Sequence, residues 1–239
     1  MKLVNSNFEN QIQFNENEVN VLVIENKQAF YNYVNILLKQ INGSLSEGFI
    51  LSNNDDILSL NKVAAIVTDY FNFNIQANKS FSNKLYSLLE NIANEKYIEN
   101  VFEINNNICN LLTKLDIEFN VNMSYEQELS IKKLLKAYNV SLNFSGDKLL
   151  EKIIDYIEVL QELEICNFLI LVNIKDYLKG SELLSLYDYV LNKQFNLLLI
   201  ENKFKKQIKY EKHLIIDEDL CEIIVDKNKI WYYIYKVTL

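Results

Sequence analysis

The chain is 239 residues long, with 49% hydrophobic and 23% charged residues. That is the balance of a folded protein with one large domain or a domain plus an appendage, and it excludes a disordered chain. The net charge of -8 excludes a uniformly basic nucleic-acid coat, but it leaves room for one lysine-lined surface, because the local sign of charge decides phosphate binding.

Proline is absent, glycine occurs only at Gly43, Gly48, Gly146 and Gly180, and all 24 basic residues are lysines. Long unbroken helices are therefore permitted, and recognition by a guanidinium fork is excluded. No stretch reaches the roughly 18 apolar residues of a membrane span, and the first residues lack a signal-peptide core, so a soluble cytoplasmic protein is expected. Cys109, Cys166 and Cys221 are odd in number and widely spaced, which points to buried free thiols rather than a disulfide framework or a zinc site.

In chain order, Val19 to Ile24 reads VNVLVI, a β-branched run suited to a buried strand. Residues 27–40 follow as a helix with Phe30, Val34, Leu37 and Leu38 on one face and Gly43 just beyond its end. Residues 48–51 and 64–70 are further strands. Alternation of strands with helical segments predicts an α/β layer with a mainly parallel sheet.

From Phe81 the period changes to that of a helix. Val101, Ile104, Ile108, Leu111 and Leu115 step by three and four, the pattern of an apolar seam. Residues 129–137 and 149–163 are also helical. The α/β pattern returns with strands at Phe168–Val172, 196–200 and 213–216, and Ser181 is placed to cap a helix over 182–192. The expected architecture is an α/β head from residues 1–80 and 166–239, with a helical leg from residues 81–165 inserted as an extended hairpin.

An α/β head raises the question of nucleotide binding. The turn after the first buried strand reads Glu25-Asn26-Lys27-Gln28-Ala29-Phe30. It has no glycine to admit a phosphate, and neither GxxxxGK[ST] nor GxGxxG occurs in the chain. A nucleotide-binding-like core, if formed, is degenerate. His213 is the only histidine and reads as a strand-edge residue rather than a general base.

Carboxylates offer more. Asp116 and Glu118 alternate with Leu115, Ile117 and Phe119, which would put both acids on one side of an extended segment. Glu126 and Glu128 follow a few residues later. Oxygen-only ligands suit a hard cation such as Ca²⁺, and a solvated acidic turn is the alternative. Lysines concentrate in two groups: Lys203, Lys205, Lys206, Lys209 and Lys212 after one strand, and Lys132, Lys133 and Lys136 on one helical face. Any DNA binding by such residues would be phosphate-directed, sequence-independent and salt-sensitive.

The segment FLILVNIKDYLKGSELLSLYDYVLNKQFNLLLIEN (residues 168–202) resembles the CRISPR-associated Csn-two family of type II-A systems. VNVLVIEN, VAAIVTDYFNFNI and HLIIDEDLCEI fit in the same order, so the resemblance covers nearly the whole chain. It implies an α/β head with an extended helical leg and a homotetrameric ring that binds double-stranded DNA ends without catalysis. It also implies Ca²⁺ held in the legs, and action beside the integrase proteins and effector nuclease of spacer acquisition.

Carried over by residue, the family's acidic stretch falls on Asp116 and Glu118. The acids that should follow directly are replaced by Asn120 and Val121, and an insertion moves the next candidates to Glu126 and Glu128. The aromatic run at residues 230–235 has no counterpart in the family pattern. A metal-dependent nuclease built on Asp116 and Glu118, or a protein scaffold without DNA affinity, are the alternatives.

Overall fold

The structure is a computed structural model that describes residues 1–54, 56–72, 79–143 and 146–225. The aromatic run at 230–235 lies outside the described residues. The chain divides into two compact units, Met1–Phe73 with Gly146–Leu239, and Asn74–Ser145.

The first unit opens with β1 (Lys2–Asn5), β2 (Ile12–Gln13), β3 (Val19–Ile24) and α1 (Lys27–Ile41). The hairpin β4 (Phe49–Asn53) and β5 (Asp56–Leu58) follows, and the one-turn helix α2 (Leu60–Val63) leads into β6 (Ala64–Val67). The second unit contains α3 (Lys79–Lys96), α4 (Ile98–Ile117) and α5 (Ile131–Ala137). The first unit resumes with α6 (Leu149–Glu162), β7 (Phe168–Val172), a 3-10 turn at Ile174–Asp176 and α7 (Gly180–Asn192). It continues through β8 (Asn196–Glu201), β9 (Glu211–Ile216) and β10 (Glu222–Val225).

Among the described residues, six strands form the main sheet in the order β10-β9-β3-β8-β7-β6. The pairs from β9 to β6 are parallel, and β10 is antiparallel to β9. Every residue of β3 and β7 is buried, as expected for strands covered on both faces. Leu22, Ile24, Phe168, Ile170, Val172, Leu198, Ile200, Leu214 and Ile216 point to one side, into a core shared with Val34 and Leu37 of α1. Their neighbours in sequence point to the other side, where α7 packs on β8 and on α6.

A second sheet, β2-β1-β4-β5, is antiparallel. The sequence reading assigns residues 48–51 to the parallel layer; they belong instead to β4, paired with β1. The reason is one-sided burial: Phe49 and Leu51 face the core while Ile50 is exposed, and only an antiparallel sheet commonly tolerates water on one face. Gln40 ties α1 to this sheet by donating to the Phe49 carbonyl and accepting from the Phe49 N–H, both at 2.9 Å. A buried amide satisfied on both sides avoids the penalty of an unmet polar group and fixes the register of helix against strand.

In the second unit, α3 packs against α4 and α5, with Phe81, Leu85 and Ile131 buried. Tyr86 donates to the Val140 carbonyl at 2.9 Å. Helix α4 has no buried residue; Ile104, Ile108, Leu111 and Leu115 of the apolar seam are all exposed. The stripe at 149–163 is placed by sequence in the helical segment, but α6 belongs to the first unit, where Ile153, Ile157 and Leu160 are fully buried. A 3.6-residue period declares a helix with one apolar face and says nothing of which layer covers that face. Ser181 is not the cap of α7: the helix begins one residue earlier, and the Glu182 carboxylate accepts from the Lys179 N–H at 2.8 Å.

Gly48 adopts φ +132°, and a Cβ there would stand 2.4 Å from Cγ2 of Ile36 and 3.0 Å from Oε1 of Gln40. Gly48→Ala is expected to cost about 2–3 kcal/mol through backbone strain and the broken Gln40 bridge. A fall in the urea midpoint with unchanged slope checks this.

Candidate nucleic-acid interface

Nine residues, 202–210, carry the chain from the carboxyl end of β8, past β3, to the amino end of β9. Parallel neighbours are usually joined by a dozen or more residues, commonly through a helix. Nine extended residues span at most about 30 Å, enough for the return to be made without a helix. Ile208 packs beside Gly180 at the start of α7, and the Phe204 ring stands edge-on to His213 with centroids 5.4 Å apart.

Backbone polar groups of the return that turn toward the sheet need partners, and Glu211 anchors the network that meets them. Its carboxylate accepts from Nζ of Lys175 at 2.8 and 3.0 Å, from the Tyr187 hydroxyl at 2.7 Å and from the Ile208 N–H at 2.8 Å. It also pairs with Nε2 of His213 at 2.8 Å. Lys175 donates further to the Lys206 carbonyl at 3.4 Å, and Gln207 donates to the Glu211 carbonyl at 2.7 Å. The side chains of Lys175, Glu211 and His213 are all but inaccessible to water.

Burial pushes the Glu211 carboxyl up, but the hydrogen bond with His213 and the charge of Lys175 outweigh it. The group is held below the ordinary value of 4.5. His213 is therefore no strand-edge residue: β9 lies inside the sheet, between β10 and β3.

The polar groups at the edge beside α1 are engaged by the protein itself. Asn26 caps α1 by accepting from the Ala29 N–H at 3.0 Å, and its amide donates to the Glu218 carbonyl at 2.9 Å. Glu25 accepts from the Phe204 N–H at 3.4 Å. Glu201, beside Val23 in the sheet, accepts from the Lys175 N–H at 3.1 Å, and burial raises its carboxyl above 4.5 against the nearby lysines. With the helix N-terminus capped and Glu25 and Glu201 beside it, a phosphate is not drawn to the start of α1.

The lysines singled out by sequence separate into paired and free. Lys205 contacts Asp176 at 2.6 Å and Glu201 at 3.4 Å, Lys203 lies 3.8 Å from Asp176, and Lys212 lies 3.9 Å from Glu18. Lys132 pairs with Glu90 at 3.0 Å, and Lys133 with Glu126. Lys209 lies over the Tyr210 ring, 4.3 Å from its centroid. Lys136 and Lys206 are exposed. Surface pairs of this kind are worth about 0–1 kcal/mol, so most of these lysines can exchange a carboxylate for a phosphate at little cost. Lys205, half-buried between two acids, is the most committed.

The proposed metal ligands do not converge. Helix α4 continues through Ile117, so Asp116 lies in its last turn and Glu118 at its cap. Two residues apart on a helix, they point to different sides rather than to one. The apolar three-four repeat carries the helix past the point where strand-like alternation seemed to begin. Asp116 accepts from the Met123 N–H at 2.7 Å, and Glu126 is engaged by Lys133. Among the described residues, no three His, Cys, Asp or Glu side chains come together as metal ligands would. Glu128 joins no such group. The thiols are free, but Cys109 and Cys166 are only half-buried and Cys221 is exposed.

Lys175, Tyr187 and Glu211 were not singled out by sequence. Glu211 and His213 carried a faint signal, since residues two apart at the head of a strand share a face. Lys175 and Tyr187 come from other elements, and only folding brings them in.

A mixed sheet with helices on both faces, fronted by a lysine-rich return, defines an α/β protein. The chain belongs to the CRISPR-associated protein (Cas_Csn2) family, whose model matches residues 40–220. Its fold is similar to that in the crystal structure of Stu0660 of Streptococcus thermophilus, at 15% identity, a TM-score of 0.59, and coverage of 100% of this chain and 80% of that one. No curated protein sequence matches it. Among the described residues, no helix is long and apolar enough to cross a membrane.

A carboxyl whose pKa is lower in the folded than in the unfolded chain stabilises the fold while ionised in both, and the contribution disappears as pH falls through the folded value. The Glu211 contribution is therefore complete above 4.5 and declines below it. Glu211→Gln, which strands Lys175, is expected to cost about 3 kcal/mol at neutral pH and to flatten the acid limb. Urea titrations between about pH 3 and 7 check both.

Proposed function

We propose that this chain is a non-catalytic, cytoplasmic DNA-binding protein of CRISPR spacer acquisition that holds the ends of double-stranded DNA as a homotetrameric ring. It would act beside the integrase proteins and the effector nuclease. The observation that carries this reading is the family match together with the lysine-rich return 202–210. Without arginine, contact is to phosphates rather than base edges, which suits a protein that accepts any sequence.

Assembly is supported by α4, whose residues Ile104, Ile108, Leu111 and Leu115 form an apolar stripe left exposed on one chain. In this reading the helical unit is an extended leg that contacts another copy through that stripe. Ca²⁺ takes about six to eight oxygen ligands, several of them carboxylates, and Asp116 and Glu118 point to different sides of α4. We place any Ca²⁺ site at a contact between copies.

Retardation of linear but not covalently closed duplex, weakened by salt, is expected in a gel shift. Alanine at Lys203, Lys206 and Lys209 together should reduce the slope of log affinity against log salt by about 2.7, or about 0.9 for each phosphate no longer neutralised. Equal binding to circles would remove the ring, and no binding at low salt would favour a scaffold role. In sedimentation, Leu111→Glu is expected to dissociate the assembly. If Ca²⁺ bridges copies, a chelator should do the same in the wild type, with no further effect in Asp116→Asn.

A further inference from the structure

At the carboxyl ends of β6 and β7, within the first unit, three aromatic side chains form a ledge. Phe71 is 84% exposed and stands edge-on to Tyr177, with centroids 5.7 Å apart at 84°. Tyr177, itself 45% exposed, is backed by the half-buried Tyr70 at 5.1 Å. The ledge is held rather than loose. Asp69 accepts from the Phe71 N–H at 2.9 Å, from the Asn72 N–H at 3.2 Å and from the Asn72 amide at 2.6 Å. These bonds form an Asx-type bracket that fixes the backbone under the Phe71 ring.

Asp69 stays ionised beside the ledge, its carboxyl held below the ordinary value by the bonds from the Asn72 amide and the Asn72 and Phe71 N–H groups. The Asp69 carboxylate is turned onto its own turn, and Asp176, next to Tyr177 in sequence, is contacted by Lys205 and Lys203. Lys203 starts the lysine-rich return, so a π face and exchangeable cations meet at one edge of the sheet.

We infer that the exposed face of Phe71, braced edge-on by Tyr177, is a stacking platform for the terminal base pair of duplex DNA, with Lys203 of the return available to a phosphate. The inference rests on the DNA-binding reading above and gives it a second source of end preference. A flat aromatic ring accepts the face of any base, so it suits a sequence-independent binder, and in a chain without arginine only aromatic rings can stack on bases in this way. A terminal base pair offers such a face, whereas every pair in a closed circle is covered by its neighbours. The platform therefore distinguishes ends from continuous duplex by surface chemistry, independently of whether DNA passes through a hole.

The test uses full-length protein and linear duplexes with 2-aminopurine at either the terminal or a central position. Wild type is expected to change the fluorescence of the terminal probe and not of the central one. Phe71→Ala should abolish that change and weaken binding of linear duplex about 10-fold. It should leave the salt slope intact, because the phosphate contacts remain. Phe71→Trp should restore both signal and affinity. If wild type binds linear duplex but Phe71→Ala matches it in affinity and fluorescence, the platform is wrong and the DNA-binding reading survives. If wild type binds no DNA at low salt, both fall together.

Discussion

The first unit is organised around a short connection that has to cross a sheet. Residues 202–210 must return from the end of β8 to the start of β9 with β3 lying between them, and nine residues leave no room for a helix. Polar groups of the return that turn toward the sheet need partners, since an unmet one costs about 1–3 kcal/mol. Glu211 answers that requirement by taking donors from the return, from α7, from the turn after β7 and from its own strand. Lys175 balances the charge and ties the Lys206 carbonyl at the same time. A buried pair of this kind is weak evidence for stability as such, but it is strongly destabilising when half is removed. Its role here is to define one path for the return.

That path has a consequence for charge. The chain is acidic overall, yet the return gathers Lys203, Lys205, Lys206 and Lys209 within seven residues. The buried carboxylates lie beneath it and the ammonium groups lie mostly outside. Opposite charges are thus separated by depth rather than by position along the sequence. The same arrangement ties up the edge beside α1, because Glu25, Asn26 and Glu201 commit their polar groups to the return and to the turns after β7 and before β10. Engagement of the polar groups beside α1 and presentation of lysines on the return are two results of one packing solution.

The apolar surface of the second unit follows the same logic of satisfied and unsatisfied faces. A helix with a regular three-four repeat and no buried residue is not a finished structure in water. The stripe on α4 is left exposed on one chain, whereas the stripe on α6 is covered within the first unit. The two stripes look alike in sequence and have opposite meanings in the fold.

Much of the fold was legible in the sequence because it depends on local periodicity. The continuous runs VNVLVI and FLILV could only be strands buried on both faces, and the glycine-free turn at Glu25-Asn26-Lys27 ruled out a phosphate loop without reference to structure. The three-four repeat from Val101 to Leu115 made a helix unavoidable, and the lack of arginine limited any nucleic-acid contact to phosphates. What the sequence could not decide were relations between elements far apart in the chain. It could not tell that residues 49–53 leave the parallel sheet, that α6 joins the first unit, or that Asp116 and Glu118 end a helix pointing apart. Nor could it foresee that His213 lies inside the sheet with Lys175, Tyr187 and Glu211 around it, or that Phe71 meets Tyr177. Periodicity and composition are properties of a segment and its solvent, so sequence by itself determined the elements and the chemistry they carry. Convergence of side chains depends on which faces pack together, and only the tertiary structure decided that.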